Sequence, residues 1–337
     1  MQLIVLGLNH KTAPVEIRER FNFSQDRTVR VLRRLRNNDN LNEAVLLSTC
    51  NRTELYMVLE DPAAGLHFIR TLLRHLAGEQ YKPDYFYNLT GINCVRHLFK
   101  VASSLDSLII GEGQILSQIK NAYHLSRSCG MTDTLFNTLF NRAIAVGKRV
   151  RTETKIAYSS VSVSSAAVDL AIDVVGDLTK ANILVLGAGR MSELTARHLI
   201  DKGAKTIFVS NRNLSHAQEL AEKFNGTAIP YNEFMHQAIT SDIIITSTGA
   251  PHYVITEQGV RDIIPKRSGK PLILVDIAVP RDVDPLVGDI EGVTLYNIDD
   301  LEGVVDMNKN FRSSEAKVAE AIIDEEITAL KERLRYL

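Results

Sequence analysis

Cys50 stands in a short polar run, Leu47-Ser48-Thr49-Cys50-Asn51-Arg52-Thr53-Glu54-Leu55-Tyr56, between two apolar stretches, 44–47 and 55–59, that read as strands. A thiol on such a hairpin turn is within reach of a substrate, and a neighbouring guanidinium, Arg52, favours the thiolate, which is the nucleophilic form. A second piece of chemistry lies far downstream. Gly187-Ala188-Gly189-Arg190-Met191-Ser192 follows a predicted strand and opens a predicted helix, the setting in which glycines let a pyrophosphate approach a helix N-terminus. Ser192 replaces the third glycine; it is still small, and its hydroxyl can bond a phosphate. After the next strand, where an acidic residue would hold the ribose of NAD, the chain has Ser210-Asn211-Arg212. An arginine there favours the 2′-phosphate of NADP. Thiol and nucleotide site together suggest covalent catalysis followed by hydride transfer.

Two kinds of scaffold must position these residues. Over 1–155 short strands mix with helices: a strand at 3–6, a helix over 26–36, the hairpin around Cys50, a helix over 64–76, then helical periodicity at 95–104, 115–126 and 135–151. Gly111-Glu112-Gly113 breaks the chain between two of these helices. This predicts an α+β domain. A Ser-rich stretch at 159–165 reads as a hinge. Strand and helix then alternate (183–186, 191–201, 206–209, 214–224, 242–246, 272–277), which predicts a parallel, doubly wound Rossmann-type domain over 156–305. The class is α/β. Residues 306–337 form a long C-terminal linker helix on which Ile323, Ile327, Leu330, Leu334 and Leu337 repeat every four and three residues, a coiled-coil-like seam. Little of this chain remains to cover it, so a second subunit or a further segment is expected to do so, with packing back onto its own domain as the alternative.

The chain has 337 residues, 45% of them hydrophobic and 23% charged, enough for two packed cores and unlike a disordered protein. No apolar run approaches the roughly 20 residues that span a bilayer, and the first strand does not read as a signal peptide, so no membrane association and a cytoplasmic location are expected. Three cysteines, Cys50, Cys94 and Cys129, show neither paired nor CxxC spacing, and the nine histidines show no ligand spacing. Neither a disulfide framework nor a metal site is expected. The net charge of −1 conceals an asymmetry: residues 1–155 carry 21 Lys and Arg against 14 Asp and Glu, a balance of +7, and residues 156–337 carry 18 against 26, a balance of −8. Arg27, Arg30, Arg33, Arg34 and Arg36 share one predicted helix. Such clusters neutralise phosphates, although each taken alone also reads as a solvated helix face.

Several runs resemble signatures of the glutamyl-tRNA reductase family: Gly7-Leu8-Asn9-His10-Lys11-Thr12-Ala13-Pro14, Ser48 to Glu54, Ser104-Leu105-Asp106-Ser107 with Gly111-Glu112-Gly113-Gln114-Ile115, and Asp276-Ile277-Ala278-Val279-Pro280-Arg281-Asp282. The resemblance implies that residues 1–155 are the catalytic, glutamyl-tRNA-recognising domain. Cys50 would take the glutamyl group from the tRNA as a thioester, NADPH would supply a hydride, and glutamate-1-semialdehyde would leave, the first step of five-carbon tetrapyrrole synthesis. It further implies His97 as a second catalytic residue and Thr49, Asn51, Arg52, Ser107, Glu112, Gly113, Gln114 and Gln118 as substrate contacts, with Arg52 gripping the substrate carboxylate and Glu112 the ammonium. Gly187, Ala188, Gly189, Arg190, Met191, Ser192, Asn211 and Arg212 would hold the cofactor. His10 would touch substrate or brace its loop. A lone helical histidine such as His97 is, on its residues alone, more often structural. The family usually continues into a C-terminal dimerisation domain where this chain stops at Leu337, so a homodimer is expected of the longer form. Hand-over of product to glutamate-1-semialdehyde aminomutase is a further family expectation. Two other readings stay open: an NADP-dependent reductase of a small acyl or keto compound, and a non-catalytic tRNA-binding regulator.

Overall fold

A computed structural model describes residues 1–77, 82–107, 114–154, 156, 163–301 and 309–334. The chain divides into two compact units, Met1–Ser160 with Asn308–Leu337, and Val161–Met307.

The first unit is built on four strands, β1 (Gln2–Asn9), β2 (Leu41–Ser48), β3 (Arg52–Leu59) and β4 (Tyr87–Thr90), in the order β2-β3-β1-β4 with all pairs antiparallel. Helices α1 (Val15–Arg18), α2 (Gln25–Leu35), α3 (Pro62–Ala77), α4 (Gly91–Ala102), α5 (Gln114–Ser128) and α6 (Thr134–Glu153) cover it. Alternate side chains of a strand face opposite ways, and here both faces are used. Ile4, Leu6, Ala44, Leu46, Leu55 and Met57 pack with Leu32 and Leu35 of α2 and Ile69 of α3. Val5, Val45, Leu47, Tyr56 and Val58 pack with Cys94, Leu98 and Phe99 of α4, Ile119 of α5 and Phe140 of α6. The arginines at 30, 33, 34 and 36 lie on the exposed side of α2, whose first turn is capped by Ser24.

The C-terminal helix, Lys309–Leu334, belongs to this same unit instead of forming a separate linker. Its stripe of Ala319, Ile322, Ile323, Ile327 and Leu330 completes the core beside α4 and α6, so the chain's own domain covers Ile323, Ile327 and Leu330 of the seam, in place of the expected second subunit or further segment; the Leu334 side chain and Leu337 lie outside the described residues. Ion pairs border it: Arg96–Asp324, Lys100–Glu320 at 2.8 Å, Arg142–Glu326 at 2.5 Å and Arg149–Glu326 at 3.0 Å. Burying one Ile or Leu is worth about 1.5–3 kcal/mol, whereas an exposed ion pair gives about 0–1 kcal/mol. The apolar stripe therefore holds the helix and the charges set its register.

The second unit has six parallel strands, β5 (Asn182–Leu186), β6 (Thr206–Ser210), β7 (Thr227–Ile229), β8 (Ile243–Thr246), β9 (Leu272–Asp276) and β10 (Val293–Asn297), in the order β10-β9-β8-β5-β6-β7. Helices α7 (Val163–Val175), α8 (Arg190–Asp201), α9 (Leu214–Lys223), α10 (Phe234–Ala238) and α11 (Glu257–Ile263) accompany them. The strand order reverses between β5 and β8, and in such sheets ligands bind beyond the carboxyl ends of the strands at that point.

Candidate active site

Thr49, Cys50 and Asn51 form the turn between β2 and β3. Thr49 closes it: its amide donates to the Arg52 carbonyl at 2.8 Å, and its hydroxyl oxygen accepts from the Asn51 and Arg52 amides, each at 3.2 Å. Two elements brace the turn from outside, the His10 amide donating to the Asn51 carbonyl at 3.0 Å and Arg18 Nε to the Cys50 carbonyl at 3.4 Å. Cys50 is half-buried, as is Cys129, whereas Cys94 is fully buried on α4. Burial pushes the Cys94 thiol up, with Glu54 adding to the effect, which leaves it a poor nucleophile.

Arg52, Glu54 and Tyr56 alternate along β3 and so share a face. Glu54 is wholly buried and accepts four hydrogen bonds: from Arg52 Nη1, Tyr56 Oη and Tyr87 Oη at 2.5 Å each, and from His97 Nε2 at 2.8 Å. Gly7 of β1 lies opposite both Glu54 and Tyr87 in register. A Cβ on it would sit 2.8 Å from Glu54 Cγ and 3.0 Å from Tyr87 Oη, so glycine is what admits the pair. Burial alone would raise the Glu54 carboxyl, but Arg52 and His97 hold it well below the usual carboxylate range. Tyr56 and Tyr87 are raised well above theirs, by burial first and then by Glu54. Burial, with Arg52 and Lys11 nearby, lowers His10 to about 4, so it is neutral at pH 7.

Arg52 departs from expectation. Its side chain is 1% exposed and its guanidinium is committed within the fold, to Glu54 and to Asp106, where it bonds the backbone carbonyl and Oδ2. Two carboxylates of this chain already occupy the fork that was expected to grip a substrate carboxylate and to favour the Cys50 thiolate. Asp106 in turn takes Lys11 Nζ at 2.5 Å. His97 is brought to this cluster through Glu54. Ser107 follows Asp106 and is half-buried; Gln114 opens α5 and Gln118 lies one turn on. Gln118 lines, with Ser48, Phe23, Thr28, Asn121 and His124, a cavity of about 580 Å³ at the edge strand β2. Glu112 and Gly113 lie outside the described residues. The sequence reading had not assigned Glu54, Asp106, Tyr87 or Lys11 to the site. The signal for Glu54 was present: two opposite charges two residues apart on an otherwise apolar strand must share a buried face.

In the second unit, Gly187 opens the turn after β5 with φ of +112°, a conformation that favours glycine, and the Ser247 carbonyl fills the space a Cβ there would need. Gly189 caps α8 with open space around it. Gly187, Ala188, Gly189, Ser210, Asn211, Arg212, Tyr231 and the stretch 247–250 line a cavity of about 300 Å³. Arg190, Met191 and Ser192 form the first turn of α8. The hydroxyls of Ser192 and Ser210 are buried without a hydrogen-bond partner, and Arg212 reaches His252 Nε2 at 3.3 Å at the exposed rim. Open glycines, a helix N-terminus, unmatched hydroxyls and a rim arginine fit a phosphorylated dinucleotide. Among the described residues no three His, Cys, Asp or Glu side chains assemble into a metal site, and no helix is long and apolar enough to cross a membrane.

Residues 6–154 match the model of the glutamyl-tRNAGlu reductase N-terminal domain, and residues 169–304 that of shikimate/quinate 5-dehydrogenase. A glutamyl-tRNA reductase from Trichlorobacter lovleyi is 47% identical over 330 residues, 97% of this chain and 76% of that protein. The chain belongs to the glutamyl-tRNA reductase family. The glutamyl-tRNA reductase from Syntrophotalea carbinolica is 46% identical over 100% of this chain and 76% of its own length. Among solved structures, the glutamyl-tRNA reductase from Methanopyrus kandleri is 36% identical, with a TM-score of 0.52 over 98% of this chain and 80% of that one. The family is one of oxidoreductases, and the shikimate-dehydrogenase-like unit that holds the glycine turn is its NADP(H)-binding part.

Proposed function

We propose that this chain, acting in the cytoplasm, reduces glutamyl-tRNA to glutamate-1-semialdehyde with NADPH through a thioester on Cys50, the first step of tetrapyrrole synthesis. The placement of Cys50 carries the reading: a half-buried thiol on a turn braced from the residue after β1 and from α1, two residues from the buried Arg52–Glu54–His97 cluster, in a chain of this family. Cys50 Sγ bonds to the ester carbon, the carbon–oxygen bond to the terminal ribose breaks, and that oxygen leaves with a proton. Two easier steps replace one hard one, because a thiolate is both a good nucleophile and a good leaving group. The chemistry that bound NADPH supplies is a hydride for the thioester carbon; the carbon–sulfur bond then breaks and returns the Cys50 thiolate.

His97 Nε2 donates to the ionised Glu54, which fixes the orientation of its ring. It is suited to move the thiol proton to the leaving ribose oxygen. Arg52 takes a different part from the one expected and keeps Glu54 ionised. Thr49, Asn51, Ser107, Glu112, Gly113, Gln114 and Gln118 are proposed substrate contacts. The buried Asn51 Oδ1 has no hydrogen-bond partner and offers an acceptor to the substrate ammonium. Gly187, Ala188, Gly189, Arg190, Met191, Ser192, Asn211 and Arg212 are proposed to hold NADPH. A homodimer in a longer form, and transfer of the aldehyde to glutamate-1-semialdehyde aminomutase, rest on the family alone. The test is NADPH oxidation with glutamyl-charged tRNA beside uncharged tRNA and free glutamate. Turnover with charged tRNA alone, abolished in Cys50→Ser while NADPH still binds, is expected; turnover by Cys50→Ser removes the covalent step.

A further inference from the structure

We propose that Asp282, which does not line the cofactor cavity, is a positioning residue for the dinucleotide: through Thr248 it sets the loop over 247–250 that walls that cavity. The inference rests on the NADPH reading above and names a residue through which affinity is controlled.

Asp282 follows β9, and its residue is fully buried. Its carboxylate grips Thr248 twice, Oδ2 accepting from the Thr248 amide at 2.7 Å and Oδ1 from the Thr248 hydroxyl. Having donated its proton, that hydroxyl accepts from the Ala250 amide at 3.1 Å. One carboxylate thus shapes three consecutive residues of the cavity wall. The loop has no slack at its other end. The Ser247 amide donates to the Leu186 carbonyl at 2.9 Å, and the Ser247 carbonyl abuts Gly187 of the pyrophosphate turn. A shift of Thr248 would be felt at both walls.

Asp282 is itself held from behind. Its amide donates to Asp276 Oδ2 at 2.9 Å, and its carbonyl accepts from the Val254 and Ile255 amides. Asp276, at the end of β9, also accepts from the Thr246 hydroxyl at 2.8 Å, the Ala278 amide at 3.0 Å and the Val283 amide at 2.9 Å. Two buried carboxylates in sequence therefore tie the ends of β8 and β9 to the loop. Burying carboxylates is costly, and neither lines the cavity. Setting the Thr248 loop is the role that accounts for Asp282.

In Asp282→Asn the amide nitrogen meets either the Thr248 amide, donor against donor, or the Thr248 hydroxyl, whose own proton then loses its acceptor. Fluorescence titration of the full chain with NADPH reads the consequence without turnover. Asp282→Asn and Thr248→Val should each weaken NADPH roughly tenfold or more. The double variant should be no weaker than the singles, because the two residues act as one unit, and Thr248→Ser, which keeps the hydroxyl, should bind within about twofold of wild type. Acylation of Cys50 by glutamyl-tRNA without cofactor, followed by intact mass, should be unchanged in all four. Wild-type affinity in Asp282→Asn, fully additive losses in the double variant, or loss of acylation alongside affinity would overturn the proposal. Should wild-type Cys50 fail to acylate, the covalent reading falls, while the affinity series still decides the role of Asp282.

Discussion

Replacing Glu54 with glutamine tests whether the buried cluster of β3 is held by charge. The glutamine keeps the shape but loses the charge, and one of its two terminal atoms becomes a donor where four donors converge. Arg52, itself buried, is left with Asp106 alone. Removing one member of a buried ion pair costs about 3–5 kcal/mol. That is a large share of a typical total stability of about 5–15 kcal/mol. For a unit of this size each kcal/mol moves the midpoint by about 2–4 °C, so a fall of about 6–20 °C is expected. Differential scanning calorimetry of the full chain can follow it, because NADPH raises only the transition of the unit that binds it and so identifies the other. The sign with pH follows as well. Glu54 is depressed in the fold, so its contribution is present above about pH 4 and fades as the pH falls toward its folded value. A Glu54→Gln midpoint within about 2 °C of wild type, less than about 1 kcal/mol, would refute the idea that this charge is structurally required. Glu54→Leu combined with Arg52→Met should be less damaging than the two single changes added together, because neither charge is then left alone.

Gly7→Ala pushes a methyl into Glu54 and Tyr87; a loss of about 1–3 kcal/mol is expected for such overpacking, visible as a lower midpoint of the same transition. Gly187→Ala forces a side chain into a positive φ and against the Ser247 carbonyl, and should weaken NADPH by at least about tenfold in a fluorescence titration while leaving Cys50 acylation intact. Asp276 is raised to about 7, chiefly by burial. A raised carboxyl holds its proton longer folded than unfolded, so stability of the nucleotide unit falls as the pH climbs from about 4 to about 7. Calorimetry at pH 5 and 7.5 should show that fall in wild type, reduced in Asp276→Asn. Mild alkylation should label Cys50 before Cys94, which is fully buried; mass mapping that finds Cys94 modified first would contradict the fold.

The parts legible in the sequence were those coded locally. The Cys50 turn lies between two apolar runs, and the glycine turn lies between a strand and a helix, so each motif announces its context within a dozen residues. The short β7 and the half-exposed β10 were missed, since three residues, or a strand without clean alternation, leave little periodic signal. The rest of this cluster was hidden for a different reason. Strand register sets Gly7, Glu54 and Tyr87 side by side, and Asp106 and His97 arrive from other elements. No spacing rule links positions so far apart in the chain. Of the two carboxylates that hold the guanidinium, Glu54 stood two residues away in plain view, whereas Asp106 lies far along the chain and left no local signal. The seam on the C-terminal helix was visible, but the surface that covers it, on α4 and α6, is set by topology.

That helix gives the chain an order of birth. The nucleotide unit is one continuous stretch, and its strands can pair as soon as they leave the ribosome. The unit that starts at Met1 cannot close until Ile323, Ile327 and Leu330 have been made, because they complete its core beside α4 and α6. Domains generally fold as units while synthesis proceeds. Here the first residues translated wait for residues made only after the whole nucleotide unit, with the apolar flank of α4, the helix that carries His97, uncovered in the interval. A chain ended before Lys309 and released should therefore bind dinucleotide while its thiol-bearing half still recruits chaperones.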